Sequence, residues 1–189
     1  RMRLAALAAA LFLLPASAQM PPDPAALIAA QKEAMKALAP MNGVWRGPAW
    51  TLQPGGVRIA ITQTERAGPF LDGAVKVVEG RGYREDGTVG FNALGVISYD
   101  PARQAYTMKS WAMGRTGEFP LVVNADGIQW ELHSRPGAII RYTATVKGDS
   151  FREVGERLVP GQEPQRIFEM DLKRVGATDW PAADPVPPR

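Results

Sequence analysis

The sequence has 189 residues, with 22 basic and 19 acidic side chains, one histidine and no cysteine. That length can bury a substantial single core unaided, and the missing cysteine excludes disulfide scaffolds, thiol catalysis, iron–sulfur clusters and thiolate zinc sites together. Two of the basic residues are Arg1 and Arg3; without them the charge is close to balanced and dispersed, so no nucleic-acid partner is expected.

Met2 reads as the start, Arg3 as a positive n-region, and 4–14 as an apolar run of leucine, alanine and phenylalanine. Pro15 interrupts the run, and Ala16-Ser17-Ala18 has the small-x-small form of a cleavage site, so 1–18 is expected to be a signal peptide with maturation at Gln19. The run is shorter than the roughly 20 apolar residues a spanning helix needs. The expectation is an exported protein, periplasmic or extracellular, with no membrane span after cleavage.

Residues 19–42 read as a short polar lead and a capping helix. Asp23 stands where an N-cap belongs and Pro24 at the first helical position. Over 25–39, Leu27, Ile28, Ala34, Met35 and Leu38 fall near one face, while Lys32, Glu33 and Lys36 take the other. Pro40 ends the helix, and so short a helix is marginal unless its apolar stripe docks.

From Gly43 the period changes to that of strands. Apolar-alternating segments at 57–62, 74–78, 91–99, 104–113, 119–123, 128–133, 138–146, 150–159 and 166–174 are separated by Asp-Gly, Pro-Gly and related turn signals. About nine or ten strands in one domain, 43–175, predict an all-β, single antiparallel up-and-down barrel, since closure removes the two exposed edges of a long meander. The stretch 176–189, with Pro181, Pro185, Pro187 and Pro188, is expected to be a flexible tail.

Gly43-Val44-Trp45 after a short helix, followed by the meander, resembles the calycin group, which includes lipocalins and fatty-acid-binding proteins. The run Gly95-Val96-Ile97-Ser98-Tyr99-Asp100, with Tyr106 and Trp111 beyond it, resembles a set of functionally uncharacterised bacterial exported proteins with lipocalin-like barrels. The resemblance spans roughly 41–175. It implies a barrel with an internal cavity and a floor sealed by Trp45 against a basic residue of the last strand. Arg174 occupies the matching place, with Lys173 as the alternative.

Candidate chemistry is sparse. His133 shares the polar side of its strand with Gln129 and Glu131. A lone histidine without cysteine supplies too few ligands for zinc, so neither a metal site nor haem through His133 is expected. The carboxylates Glu65, Glu79, Glu131, Glu153, Glu156, Glu169 and Asp171 are interspersed with arginines. Cross-strand ion pairs on a solvated face account for that mixture more simply than a converging catalytic pair. No serine sits in Gly-x-Ser-x-Gly, and no phosphate-binding loop or dinucleotide fingerprint occurs.

Tyr99, Tyr106, Met108 and Trp111 form the densest aromatic and methionine set, read first as core and second as the wall of a ligand pocket. The function expected is non-enzymatic, with a small apolar or amphipathic molecule bound in the barrel. A hydrolase or isomerase using polar residues at the mouth, or an envelope interaction module, are the alternatives.

Overall fold

The computed structural model describes residues 23–134, 137–181 and 186–188. The segment 1–18, expected to be a signal peptide, lies outside the described residues. α1 (Pro24–Met35) begins where Asp23 accepts a hydrogen bond from the Ala25 backbone N–H at 3.0 Å, with Pro24 in the first turn. It continues into a 3-10 segment at Lys36–Met41 that contains Pro40. The predicted helix over 25–39 is thus tightened in its last turn, where the proline removes an α-helical donor.

Ten strands follow: β1 (Gly43–Leu52), β2 (Arg58–Phe70), β3 (Val75–Tyr83), β4 (Val89–Asp100), β5 (Ala105–Ala112), β6 (Arg115–Asn124), β7 (Gly127–Ser134), β8 (Ala138–Lys147), β9 (Ser150–Leu158) and β10 (Gln165–Gly176). Each pairs antiparallel with its sequence neighbours, and β1 pairs with β10, closing the barrel. The sheet therefore has no free edge. The expected all-β, up-and-down architecture with one short N-terminal helix is the observed one.

Strand partners point to the same side of a sheet, so one buried residue fixes the lining of the whole barrel. Trp45 is fully buried and opposes Arg174 on β10 and Glu65 on β2. Glu65 opposes Gly80, Gly80 opposes Ala93, and Ala93 opposes Ala112. Continued around the circle, the same register turns Met108, Leu121, Trp130, Tyr142, Glu153 and Met170 inward.

The two ends differ. At the floor Trp45, Ala67, Ile97, Leu121, Ile128, Phe151 and Leu172 are buried and pack with Met35, Leu38 and Met41 from the helical segment. Toward the other end, the lumen-facing Ile61, Ala93, Ser110, Ala112, Phe119, Leu132 and Ile140 are only partly covered, and Phe91 is exposed. The helix closes one end, and the mouth is at the other.

Three strands run further than their patterns predict: β2 continues eight residues past Thr62 to Phe70, β3 five past Val78 to Tyr83, and β6 starts at Arg115, ahead of Phe119. Gln63 and Glu65 at inward positions of β2, and glycines at Gly80, Gly82 and Gly117, interrupt the alternation of apolar with polar residues that marks a strand.

The described residues just beyond β10 lie against the barrel. Trp180 meets Phe70 edge-on at 5.8 Å between ring centroids, and the Arg66 guanidinium lies 4.1 Å from the centre of the Trp180 ring. A Cβ on Gly68 would lie 2.6 Å from Thr178 Oγ1, so the glycine provides the room in which this segment docks on the outer wall.

Candidate functional site

The floor is a set of satisfied polar groups. The Arg174 guanidinium lies 4.0 Å from the centre of the Trp45 ring and donates to the carbonyls of Asn42 and, at 3.2 Å, of Pro40 and Gly148. It also donates to Asp149 at 3.0 Å. The Trp45 indole N–H donates to Met41 O at 3.0 Å, and the Tyr106 hydroxyl donates to Ala34 O at 2.8 Å. Lys76, buried beneath the helix, donates to Asn42 Oδ1, and burial lowers its pKa to about 8. These bonds terminate the helical segment and pin it across the floor.

The sequence candidates for a ligand wall are distributed over three environments. Tyr99 and Tyr106 pack with their rings tilted 58° to each other, 4.8 Å between centroids, near the capped end. Met108 faces the lumen, where it packs against Gly95. Trp111 faces outward, 40% exposed, with Lys109 5.6 Å from its ring centre. His133 is exposed on the outside of β7, and Glu131 on that same face pairs with Arg141 at 2.7 Å. That outer pair does not bring Glu131 and His133 into a cleft.

The carboxylates divide by face. Glu79 bonds Arg66 at 2.7 Å and Arg81 at 2.9 Å on the outer wall; burial pulls its pKa up, but the two guanidiniums outweigh that and hold it below the ordinary value. Glu169 bonds Arg152 and Arg166 and is likewise held low, chiefly by the Arg152 hydrogen bond. These are the cross-strand pairs expected of a solvated face.

Glu65 and Glu153 face inward instead. Gln63 Nε2 donates to Glu65 Oε1 at 2.8 Å, and the Gln63 side chain is 1% exposed, with its Oε1 unpartnered among the described residues. A Cβ on Gly80 would lie 2.6 Å from Glu65 Oε1, and one on Gly82 would lie 3.1 Å from Gln63 Oε1. The two glycines thus hollow the β3 wall where these polar groups lie. Glu153 occupies the β9 position opposite Ala144 and Met170.

Glu65 and Glu153 are partly covered residues whose carboxyls lie deep in the protein, and that depth governs their protonation. Burial, followed by the charge of Glu153, raises Glu65 well above the ordinary carboxylate value, the Gln63 hydrogen bond opposing it. Burial raises Glu153 to about 8. Aromatic rings flank this region: Trp130 and Tyr142 stack at 5.2 Å, Phe168 meets Tyr142 at 6.3 Å, and burial, with Glu153, pushes the Tyr142 hydroxyl up to about 12. Inward Gly155 leaves room for Tyr142 and Phe168, since a Cβ there would lie 2.7 Å from the tyrosine ring.

The lumen therefore presents a polar cluster of Gln63, Glu65 and Glu153 partway down a mostly apolar barrel. Sequence reasoning had the two carboxylates in hand but not their faces. The available signal was inverted polarity on β9, where Glu153 points in and Val154 points out.

No protein-family model and no curated protein matches the sequence. Among solved structures the chain is similar to Rv2717c from M. tuberculosis, with a TM-score of 0.56 and 15% identity over 75% of this chain and 96% of that one. At that identity the likeness concerns the fold alone.

Proposed function

We propose that this protein is an exported, lipocalin-like carrier that holds a small apolar or amphipathic molecule in the mouth half of its barrel. The observation that carries the reading is the gradient along the lumen. Inward residues are buried at the helix-capped floor, but toward the mouth they are only partly covered, with the small side chains of Ala93, Ser110 and Ala112 on neighbouring strands. Concave, mostly apolar space with a few convergent polar groups is the usual make-up of a small-molecule site.

The test is titration with the neutral fluorescent probe N-phenyl-1-naphthylamine. The probe binds the native protein, Ser110→Trp blocks binding by filling the lumen, and Trp111→Ser on the outer face leaves it unchanged. Equal binding by the native protein and Ser110→Trp overturns the lumen reading. Export is tested separately, by fractionating the producing cells and finding a mature N-terminus at Gln19.

A second reading, chemistry on the bound molecule, is favoured by one observation: two lumenal carboxyls with raised pKa values, the pattern expected of an acid–base pair. It requires that the molecule recovered after incubation be altered, and that Glu153→Gln abolish the alteration.

A further inference from the structure

We infer that the lumen selects an amphipathic molecule whose polar head is a cationic amine, with its N–H groups bonded by Gln63, Glu65 and Glu153 and its apolar part lying toward the mouth. The inference rests on the lumenal reading and goes beyond it by naming the head group.

The three polar side chains of this layer turn inward by register, Gln63 fully buried and Glu65 and Glu153 partly covered. Gln63 spends its amide N–H on Glu65 and leaves its buried Oε1 without a partner among the described residues. A buried unpaired acceptor costs free energy until a donor reaches it. Burial and the charge of Glu153 oppose ionisation of Glu65, and burial opposes that of Glu153, penalties that a bound cation relieves.

The protein's own inward cations are engaged elsewhere. Arg174 is committed to Trp45 and the floor carbonyls, Lys76 bonds Asn42, and Arg157, inward by register, is exposed at the rim. The neutralising charge is thus left to a ligand.

The surroundings favour an ammonium over a metal ion. Trp130, Tyr142 and Phe168 supply ring faces beside Glu153, and aromatic faces attract organic cations. Beyond them the open apolar positions Ile61, Ala93, Ala112 and Phe119 suit a hydrocarbon part. An anionic head would meet two carboxylates and an unpaired carbonyl oxygen, so the same cluster rejects fatty acids.

The experiment displaces N-phenyl-1-naphthylamine with four ligands sharing one tail: decylamine, decanol, decanoate and decyltrimethylammonium, each below its micelle concentration. At pH 8.5 Glu153, whose pKa is about 8, is substantially ionised, and an alkylammonium, close to lysine at about 10.4, keeps its proton. Decylamine should bind at least about ten-fold tighter than decanol, and decanoate more weakly than decanol, as charge-assisted hydrogen bonds predict. Decyltrimethylammonium, with charge but no N–H, should fall between amine and alcohol.

In the double variant Glu65→Gln/Glu153→Gln the amine should lose its advantage to within about two-fold while decanol binds as before. Decanol or decanoate binding as tightly as the amine overturns the head-group assignment and leaves the carrier reading standing. So does an amine preference that survives the double variant. Equal affinity for the trimethylated ligand and the amine overturns the N–H bonding to Gln63, Glu65 and Glu153 and leaves only a charge preference. Failure of the probe and all four ligands to bind overturns the carrier reading itself.

Discussion

The two halves of the barrel treat polar groups in opposite ways. At the floor, the inward Arg174, Tyr106 and Lys76 have protein partners: Arg174 serves Trp45, Pro40, Asn42 and Asp149, Tyr106 serves Ala34, and Lys76 serves Asn42. Midway up, Gln63 Oε1 is unpartnered among the described residues, and two carboxyls are placed where burial opposes their charge, with the charge of Glu153 adding to the burden on Glu65. A barrel built for stability alone would fill that layer with aliphatic side chains. Retaining polarity there, while the floor is fully satisfied, separates the part that holds the fold from the part that meets something else.

The comparison breaks most visibly at Trp45. It is fully buried, packs edge-on to Phe151 at 5.5 Å, and supports the helix through its indole N–H. Trp45→Ala should cost about 3–5 kcal/mol in chemical denaturation, the range for losing a large core aromatic. Arg174→Met keeps much of the aliphatic stem but orphans the Pro40 and Asn42 carbonyls and loses the ring contact, and should cost about 2 kcal/mol. A loss below about 0.5 kcal/mol in both would show that the floor does not carry the stability assigned to it.

The polar layer is tested at Gly80, whose missing Cβ makes room for the Glu65 carboxyl. Gly80→Ala should destabilise by about 1–3 kcal/mol through overpacking. In a Glu65→Ala background the same substitution should cost less than about 1 kcal/mol, because the obstructing carboxyl is gone. Equal costs in the two backgrounds would place the strain in the β3 backbone rather than in the lumen.

That asymmetry also explains what could be read from the sequence. The barrel and the helix cap at Asp23 were legible because apolar alternation reports burial and the turn and capping residues report where elements end. The polar layer was not. Alternation places Glu65 and Glu153 outside by default, and the pattern of β2 stops at Thr62 because inward Gln63 and Glu65 imitate a solvated segment. Register decides the face of every residue, and register is a property of pairs of strands, invisible in either alone. Trp111 shows the converse: it is a large aromatic that fits a ligand wall by composition, but its partners Leu94 and Thr116 share the outer face.

A final test uses pH, because the two halves should write opposite slopes into one stability curve. The titratable groups that sense Glu153 are Glu65 from β2 and Tyr142 from β8, while Ala144, Met170 and Phe168 add no charge and Arg157 on its own strand is exposed at the rim. Its pKa is raised from the ordinary 4.5 to about 8, so the native state binds protons that the unfolded chain has released between these values. That contribution is fully present below about pH 4.5 and is lost as pH rises through 8. Lys76 at the floor is lowered from 10.5 to about 8, so here the unfolded chain binds the extra proton and stability rises from pH 8 to 10.5. Denaturation midpoints should therefore fall toward pH 8 and recover above it. Glu153→Gln should make the acidic limb shallower, with Glu65 keeping the rest of it, and leave the basic limb, whereas Lys76→Met should flatten the basic limb and leave the acidic one. A basic limb that flattens with Glu153→Gln would mean that lumen and floor titrate as one unit, and the separation of the two halves would fail.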